Sequence, residues 1–342
     1  MGSSYGGEIS DYDIHRLKIL VVGCGGAGCN SVHRLNIIGL EGAETLAMNT
    51  DAISLKATSA TNRLLIGAEY TKGRGAGGKV DVGETCAKNA GGILDQIMRD
   101  VDLCFIIVGM GGGTGTGAAP IVADAARKNG AVVISIATLP FHIEGGIRKD
   151  NALKGLRRLS DCSDTILMLD NNRLVDMVGN IPFNQALGVM DQLIAELIRG
   201  IVDALTKPSL INLDFADLRT VISNGGVSTI LYGENADPEG VVNDAINNPL
   251  LDIDIKGGTG AIIHLSGGSG LTLRKAHKVF EGITQHLDED ANIKFGVRIN
   301  DDNETTIRMI AVITGISEIP EEMVDGMAQT RDISVMLKKY GR

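Results

Sequence analysis

Gly111-Gly112-Gly113-Thr114-Gly115-Thr116-Gly117 is the stretch from which the rest of the chain is read. It follows an apolar run, Leu103 to Val108, and precedes Ala118 to Lys128, whose composition favours a helix. Strand, glycine turn and helix in succession form a βα unit. Five glycines in seven positions leave almost no side chain between the backbone and an approaching ligand. Successive N–H groups can then point inward as an anion nest, with the dipole of the following helix added. The Thr114 and Thr116 hydroxyls are candidate donors to phosphate oxygens, and a side chain at Gly111 is expected to block phosphate without disturbing the fold. A plain turn is the bland alternative, but so much glycine costs too much entropy for one.

A second glycine loop lies nearer the N-terminus. Leu17 to Val22 is an apolar run that reads as a buried strand. It leads into Gly23-Cys24-Gly25-Gly26-Ala27-Gly28-Cys29-Asn30 and a helix to about Ile38. Alone this G-x-G-x-x-G, with Asp51 roughly twenty residues on as the acid for a ribose, is a dinucleotide fingerprint and keeps an NAD(P)-dependent oxidoreductase open. That reading leaves the other glycine loop without a task. A third loop, Gly73-Arg74-Gly75-Ala76-Gly77-Gly78-Lys79, can reach the same phosphate chain. Strands are expected at Thr45 to Met48, Arg63 to Ile66, Ala131 to Ala137 and Thr165 to Leu169. Helices are expected at Val82 to Arg99, Ala118 to Lys128 and Ile147 to Leu159. The alternation predicts an α/β fold: a parallel, Rossmann-like sheet flanked by helices, with ligands at the carboxyl ends of its strands.

Phe183 to Leu205 carries Leu187, Met190, Ile194, Leu197, Ile198, Ile201 and Leu205 at helical spacing, a long and largely buried helix. Beyond it the pattern changes to a smaller α+β domain with strands at Val227 to Tyr232, Ala261 to Leu265, Ile293 to Val297 and Thr306 to Ile313. Its helices are expected at Pro238 to Asn247 and Thr272 to His286. The expected organisation is a flexible segment at 1–16, a nucleotide-binding domain at 17–182 and a central helix at 183–205. A loop and helix at 206–224, the α+β domain at 225–316 and a tail at 317–342 complete it.

At 342 residues the chain is long enough for two domains. A net charge of −10, no tryptophan and 3% aromatic residues argue against nucleic acid as a partner. No run is long enough to span a bilayer, and no signal peptide is expected. Cys24, Cys29, Cys86, Cys104 and Cys162 form no C-x-x-C pair and read as thiols in a reducing cytosol; no metal ligands are assigned.

The glycine loop with Thr116 at its sixth position resembles the FtsZ signature, in which eukaryotic tubulins carry Ser. So do Asn49-Thr50-Asp51, Gly75-Ala76-Gly77, Pro140-Phe141 followed by Glu144 and Arg148, and Asn212-Leu213-Asp214-Phe215-Ala216-Asp217-Leu218-Arg219. The resemblance runs from about Leu17 to Gly315 and, with no long linker, is closer to the archaeal form. It implies a GTPase that binds GTP/GDP with Mg²⁺ and polymerises head to tail into the cytoplasmic cell-division ring. It also implies adaptor or membrane-anchor partners of unknown identity. By position, Gly25, Gly26, Ala27, Gly28, Cys29, Asn30 and Gly111 to Gly117 (with Gly112, Gly113, Thr114, Gly115 and Thr116) would hold phosphates. Gly77 would approach the terminal phosphate, Glu144 and Asn171 the ribose, and Arg148 the sugar and base. Asp191 would read guanine, with Leu187, where the family usually has Phe, packed on the purine. A carboxylate suits that role because it accepts from both N1–H and the exocyclic amine, and adenine offers no N1–H. A solvated carboxylate on a polar helix face is the alternative. Gly77-Gly78-Lys79-Val80 stands where the family usually carries proline. The family's C-terminal partner-binding peptide has no clear counterpart; Ile333 to Lys339 reads as a docking segment or a frayed tail.

Neither phosphate loop contains a P-loop Gly-Lys-Ser/Thr, and no arginine lies beside them. Nothing near Gly111 positions a water. Asp214 and Asp217, three apart at a helix start with Asn212 just before, can orient water or help to hold a cation. Helix capping by Asp214 is the alternative. The resemblance implies that this loop faces the nucleotide of the adjacent subunit. A filament that binds nucleotide but hydrolyses it poorly is the remaining reading.

Overall fold

A computed structural model describes residues 17–223, 227–248, 254–300 and 305–316. The first domain runs β1 (Ile19–Cys24), α1 (Gly25–Ile38), β2 (Glu44–Asn49), α2 (Ala52–Ala57), β3 (Asn62–Leu65), α3 (Ala68–Thr71), α4 (Val80–Asn89) and α5 (Gly91–Met98). It continues through β4 (Leu103–Gly109), α6 (Gly113–Lys128), β5 (Val132–Leu139), a 3-10 turn (His142–Glu144), α7 (Gly146–Cys162), β6 (Thr165–Asp170) and α8 (Asn172–Val178). Then come α9 (Phe183–Thr206), α10 (Phe215–Ser223), β7 (Val227–Asn235), α11 (Pro238–Ile246), β8 (Gly260–Gly267), α12 (Leu273–Thr284), β9 (Asn292–Ile299) and β10 (Ile307–Ile316).

The first six strands form one sheet in the order β3-β2-β1-β4-β5-β6, parallel throughout. Alternating residues of each strand serve opposite faces. Ile19, Val21, Phe105, Ile107, Ile134 and Ile136 enter one core with α1 and α9. Leu20, Val22, Cys104, Ile106, Val108 and Val133 enter another beneath α4, α5, α6 and α7. Burial on both faces explains why these strands read as continuous apolar runs instead of alternating ones. The order reverses between β1 and β4, and loops leaving such a point diverge to open a crevice.

The second sheet has the order β7-β10-β8-β9, with β10 antiparallel to β7 and β8, and β9 parallel to β8. One face packs on α11 and α12. The other contributes Ile230, Ile262, Ile310 and Val312 to the core that also holds Met190, Ile194, Leu197, Ile198 and Ile201 of α9. The long helix is therefore a wall shared by both sheets. Gly200 lets it approach closely, since a Cβ there would lie 2.5 Å from Ile310 Cδ1.

The expected strands are present, with bounds shifted by up to three residues; β1 and β3 keep their expected lengths but are displaced along the chain. The single helix expected over Val82 to Arg99 is two, because Ala90 (φ −83°, ψ 3°) turns the chain ahead of Gly91 and Gly92. Helices α2, α3 and α8 were not legible, being too short for a periodic signal. Among the described residues no helix is long and apolar enough to cross a membrane. The expectations for 1–16, 224–226 and 317–342, Ile333 to Lys339 included, lie outside the described residues.

Candidate functional site

The two glycine loops leave adjacent strands, β1 and β4, at the switch point and touch. A Cβ on Gly25 (φ +72°) would lie 2.8 Å from the Gly115 nitrogen, and one on Gly109 would lie 2.6 Å from Ala27 Cβ. Helices α1 and α6 start here with no side-chain cap and no acidic residue in the first turn. Asp51, Asp237 and Thr272 cap α2, α11 and α12 with their side chains, while α3, α4, α5, α7, α8 and α9 also start uncapped; α1 and α6 differ in that their N-termini lie against each other. Two uncapped N-termini side by side present unpaired N–H donors and two positive dipole ends to one crevice, which suits an oligophosphate. A Cβ at Gly26 or Gly112 would meet no atom within 4 Å, so the backbone there borders open space.

Gly111 behaves otherwise. It has φ +95°, and a Cβ would sit 2.8 Å from the Arg148 carbonyl oxygen. A side chain there strikes α7, which corrects the expectation that the fold would tolerate it. Thr116 also points inward: it is fully buried, and its hydroxyl accepts from the Gly111 N–H at 2.8 Å. The Thr114 hydroxyl pairs with Thr50 Oγ1 at 2.6 Å, tying the loop to the end of β2. Both threonines brace the glycine turn from behind. Cys29 likewise belongs to the core, its thiol against the Met48 carbonyl at 3.7 Å and pushed up to about 12 by burial.

Beside the loops lies a cavity of about 70 Å³ whose walls include Ala27, Asn30, Asn171, Leu187 and Asp191, five of the expected residues. Ile107, Val108 and Gly109 at the end of β4 also line it, as do Ser31, Thr138 and Met190, none of them foreseen as site residues. Ser31 donates to the Asp191 carboxylate at 2.5 Å, and Arg34 Nε donates to Gln192 Oε1 at 2.9 Å, so α1 and α9 are joined at the cavity floor. Burial raises the Asp191 carboxyl above the usual range, while Ser31 and the charges of Arg34 and His33 pull it back. The carboxylate is thus a part-buried group in a cavity, not one on a solvated stripe.

Other expected residues lie apart from this cavity. Glu144 and Arg148 pair with each other, and Glu144 also accepts from the Phe141 N–H at 2.9 Å. Asp51 is the N-cap of α2, accepting from Ile53 and Ser54 at 2.9 and 3.1 Å, and its backbone bridges to Arg74. The dinucleotide reading thereby loses its ribose acid to helix capping. Gly77 (φ +60°) has open space at its Cβ position, and its loop meets α6 where Gly113 approaches the Lys79 nitrogen.

Asn212, Asp214 and Asp217 follow the far end of α9. From Asp191 to Thr206 the helix alone spans about 22 Å at 1.5 Å per residue. Asp214 Oδ1 accepts from the Asp217 N–H at 2.7 Å, so one oxygen does cap α10. Asn212 Oδ1 accepts from the Ser209 N–H at 2.9 Å. Asp217 Oδ1 lies 3.0 Å from Lys294 Nζ, a partner absent from any local motif.

A parallel sheet with two uncapped glycine-loop helices at its switch point defines a nucleotide-binding α/β protein. The family model described as Tubulin/FtsZ family, GTPase domain, matches residues 18–179, and that described as FtsZ family, C-terminal domain, matches residues 226–317. Cell division protein FtsZ 2 of Methanocaldococcus jannaschii is 47% identical over 305 residues, 87% of this chain and 80% of that protein. FtsZ 2 of Haloferax volcanii is 45% identical over 312 residues, 90% of this chain and 78% of that protein. A solved FtsZ dimer from M. jannaschii superposes with TM-score 0.83 at 43% identity, covering 89% of this chain and 90% of that one. The chain belongs to the FtsZ family of cell-division proteins, with a tubulin-like GTPase domain. Guanine-nucleotide binding, GTP hydrolysis and self-association follow as general properties of that family.

Proposed function

We propose that the chain binds GTP across the β1/β4 crevice, polymerises head to tail, and hydrolyses GTP at a site completed by the acidic loop of the adjacent subunit in a division ring. The observation that carries this is the pairing of two uncapped helix N-termini with the Asp191 cavity on one side of the molecule. The loops that open α1 and α6, within Gly25 to Asn30 and Gly112 to Gly117, supply N–H donors to phosphates, the Gly111 N–H being held by Thr116, and Gly77 approaches the terminal one. Asp191 accepts from N1–H and the exocyclic amine of guanine, Leu187 covers the purine and Asn171 serves the sugar from the same cavity, whereas Glu144 and Arg148, paired outside it, would have to part to reach the sugar. Among the described residues no group of three or more His, Cys, Asp or Glu side chains could hold a metal ion. Mg²⁺ would enter with the nucleotide, and there it would neutralise charge developing during transfer.

Asp214 and Asp217 orient the attacking water. Their distance along α9 from the crevice of their own chain favours a donor subunit above an acceptor subunit, a heterologous contact that repeats without closing. Adaptor or membrane-anchor proteins at the division site are expected partners, their identity unknown. Sedimentation and phosphate release measured together across protein concentration, with GTP, ATP or NAD, test the proposal. GTP-specific pelleting with parallel phosphate release supports it; pelleting without release favours a filament that hydrolyses poorly.

A further inference from the structure

Strand β9 is the edge of the second sheet, and its outer side is occupied by the acidic loop. Ile211 and Val297 exchange two backbone hydrogen bonds, at 3.2 and 3.0 Å. One residue back, Gly296 makes room for the loop, since a Cβ there would lie 2.9 Å from Leu213 Cγ. Two residues further back, Lys294 Nζ reaches Asp217 Oδ1 at 3.0 Å. The other oxygen of Asp217 faces the Asp214 N–H at 3.5 Å. The strand thus grips the acidic segment at three places along its length, and the last is an ion pair to one of its two carboxylates.

We infer that Lys294 is a positioning residue for hydrolysis: its ammonium fixes the Asp217 carboxylate and supplies the positive charge that lets two carboxylates approach the triphosphate of an adjacent subunit. The inference rests on the shared-site reading above. Two aspartates facing a polyanion repel it, and a cation bonded to one of them offsets part of that repulsion. In a free subunit the pair is half-exposed and contributes little. Its effect grows where the junction excludes water, because charges interact more strongly there. Lys294 therefore acts on the rate within polymer and not on nucleotide affinity, since the crevice of its own chain lies beyond the length of α9.

The test uses the full chain and three variants, Lys294→Gln, Lys294→Arg and Asp217→Asn. Phosphate release is normalised to pelleted protein, and GTP affinity is measured separately below the assembly threshold. Lys294→Gln should bind GTP as the parent does yet hydrolyse about fivefold more slowly or worse per polymerised subunit, a factor matching the upper end for such pairs. Lys294→Arg should recover most of the rate, and Lys294→Gln added to Asp217→Asn should cost little more than Asp217→Asn alone. Parent-like hydrolysis by Lys294→Gln beside an inactive Asp217→Asn overturns the role of Lys294 and leaves the shared site standing. Equal loss in the Gln and Arg variants also overturns it, since packing and not charge would then be at work. Parent-like hydrolysis by Asp217→Asn overturns the underlying reading.

Discussion

Ser31 on α1 holds the Asp191 carboxylate on α9 through a hydrogen bond of 2.5 Å, across 160 residues of sequence. One contact thus joins the helix that begins at the first glycine loop to the helix that carries the acid proposed to read the base. Asp191→Ala should weaken GTP binding by about one to two decades, the ~1.5–3 kcal/mol of a charge-assisted hydrogen-bond pair, and narrow the preference over ATP. Titrations with both nucleotides check it; unchanged selectivity would remove Asp191 from the base site.

The same carboxyl sets a pH dependence. Burial raises it above its unfolded value, with Ser31 opposing. Between the unfolded and folded values the folded chain keeps a proton that the unfolded chain has released. Stability of the nucleotide-free protein from this group therefore falls as pH rises through a window that begins near ~4 and extends upward. Guanine binding runs the other way, because only the ionised carboxylate accepts both hydrogen bonds. Because Glu84 and Glu234 are lowered and add stability of the opposite pH sense, the readout is the difference between the parent and Asp191→Asn: over this range it should change with pH in opposite directions in melting curves and in GDP titrations.

Two neighbouring glycines should respond differently to substitution. Gly112 has φ −79° and ψ 169°, which any residue adopts, and open space at its Cβ position. Gly112→Val should keep its melting temperature and lose GTP affinity. Gly111→Ser should melt earlier, since φ +95° and the Arg148 carbonyl both oppose a side chain. Matching melts for the two variants would contradict this assignment.

Thiol labelling should be selective. Burial pushes Cys29 and Cys104 up to about 12 and raises Cys24 strongly, and Cys86 is buried as well. Cys162 is partly exposed and should label first in native protein, with the other four reacting on unfolding. Mass spectrometry after a short pulse of reagent gives the order.

Much of the site was legible because glycine-rich turns after buried strands carry their chemistry locally. Gly111 to Gly117 and Gly23 to Asn30 could be located as turns between strand and helix without tertiary information, as could the sheet they leave. Roles fixed by distant partners were not. Thr116 looks like a phosphate donor until its hydroxyl is found under the Gly111 N–H. Asp51 has the spacing of a ribose acid, yet the chain turns into α2 and uses it as a cap. Ser31 is one serine among many until α1 packs on α9. Lys294 carries no signal at all in a strand sequence, because its partner comes from a loop 77 residues earlier that lies along the strand edge.

The glycine beneath the acidic loop offers a further check. Gly296→Ala places a Cβ 2.9 Å from Leu213 Cγ and 3.1 Å from the Ile211 oxygen. Overpacking of this kind costs about 1–3 kcal/mol. The variant should lose hydrolysis per polymerised subunit while GTP affinity, set at the other end of α9, stays at the parent value in an equilibrium titration.

If one active site is built from two chains, complementation between two differently defective variants reveals it. Asp217→Ala should bind GTP but lack the proposed water-orienting acid, whereas Gly112→Val should keep its acidic loop but bind no nucleotide. Phosphate release from Asp217→Ala mixed with excess Gly112→Val, under conditions where both are found in the pellet, should rise well above the sum of the two alone. Release that equals that sum, despite co-assembly, would contradict the shared site.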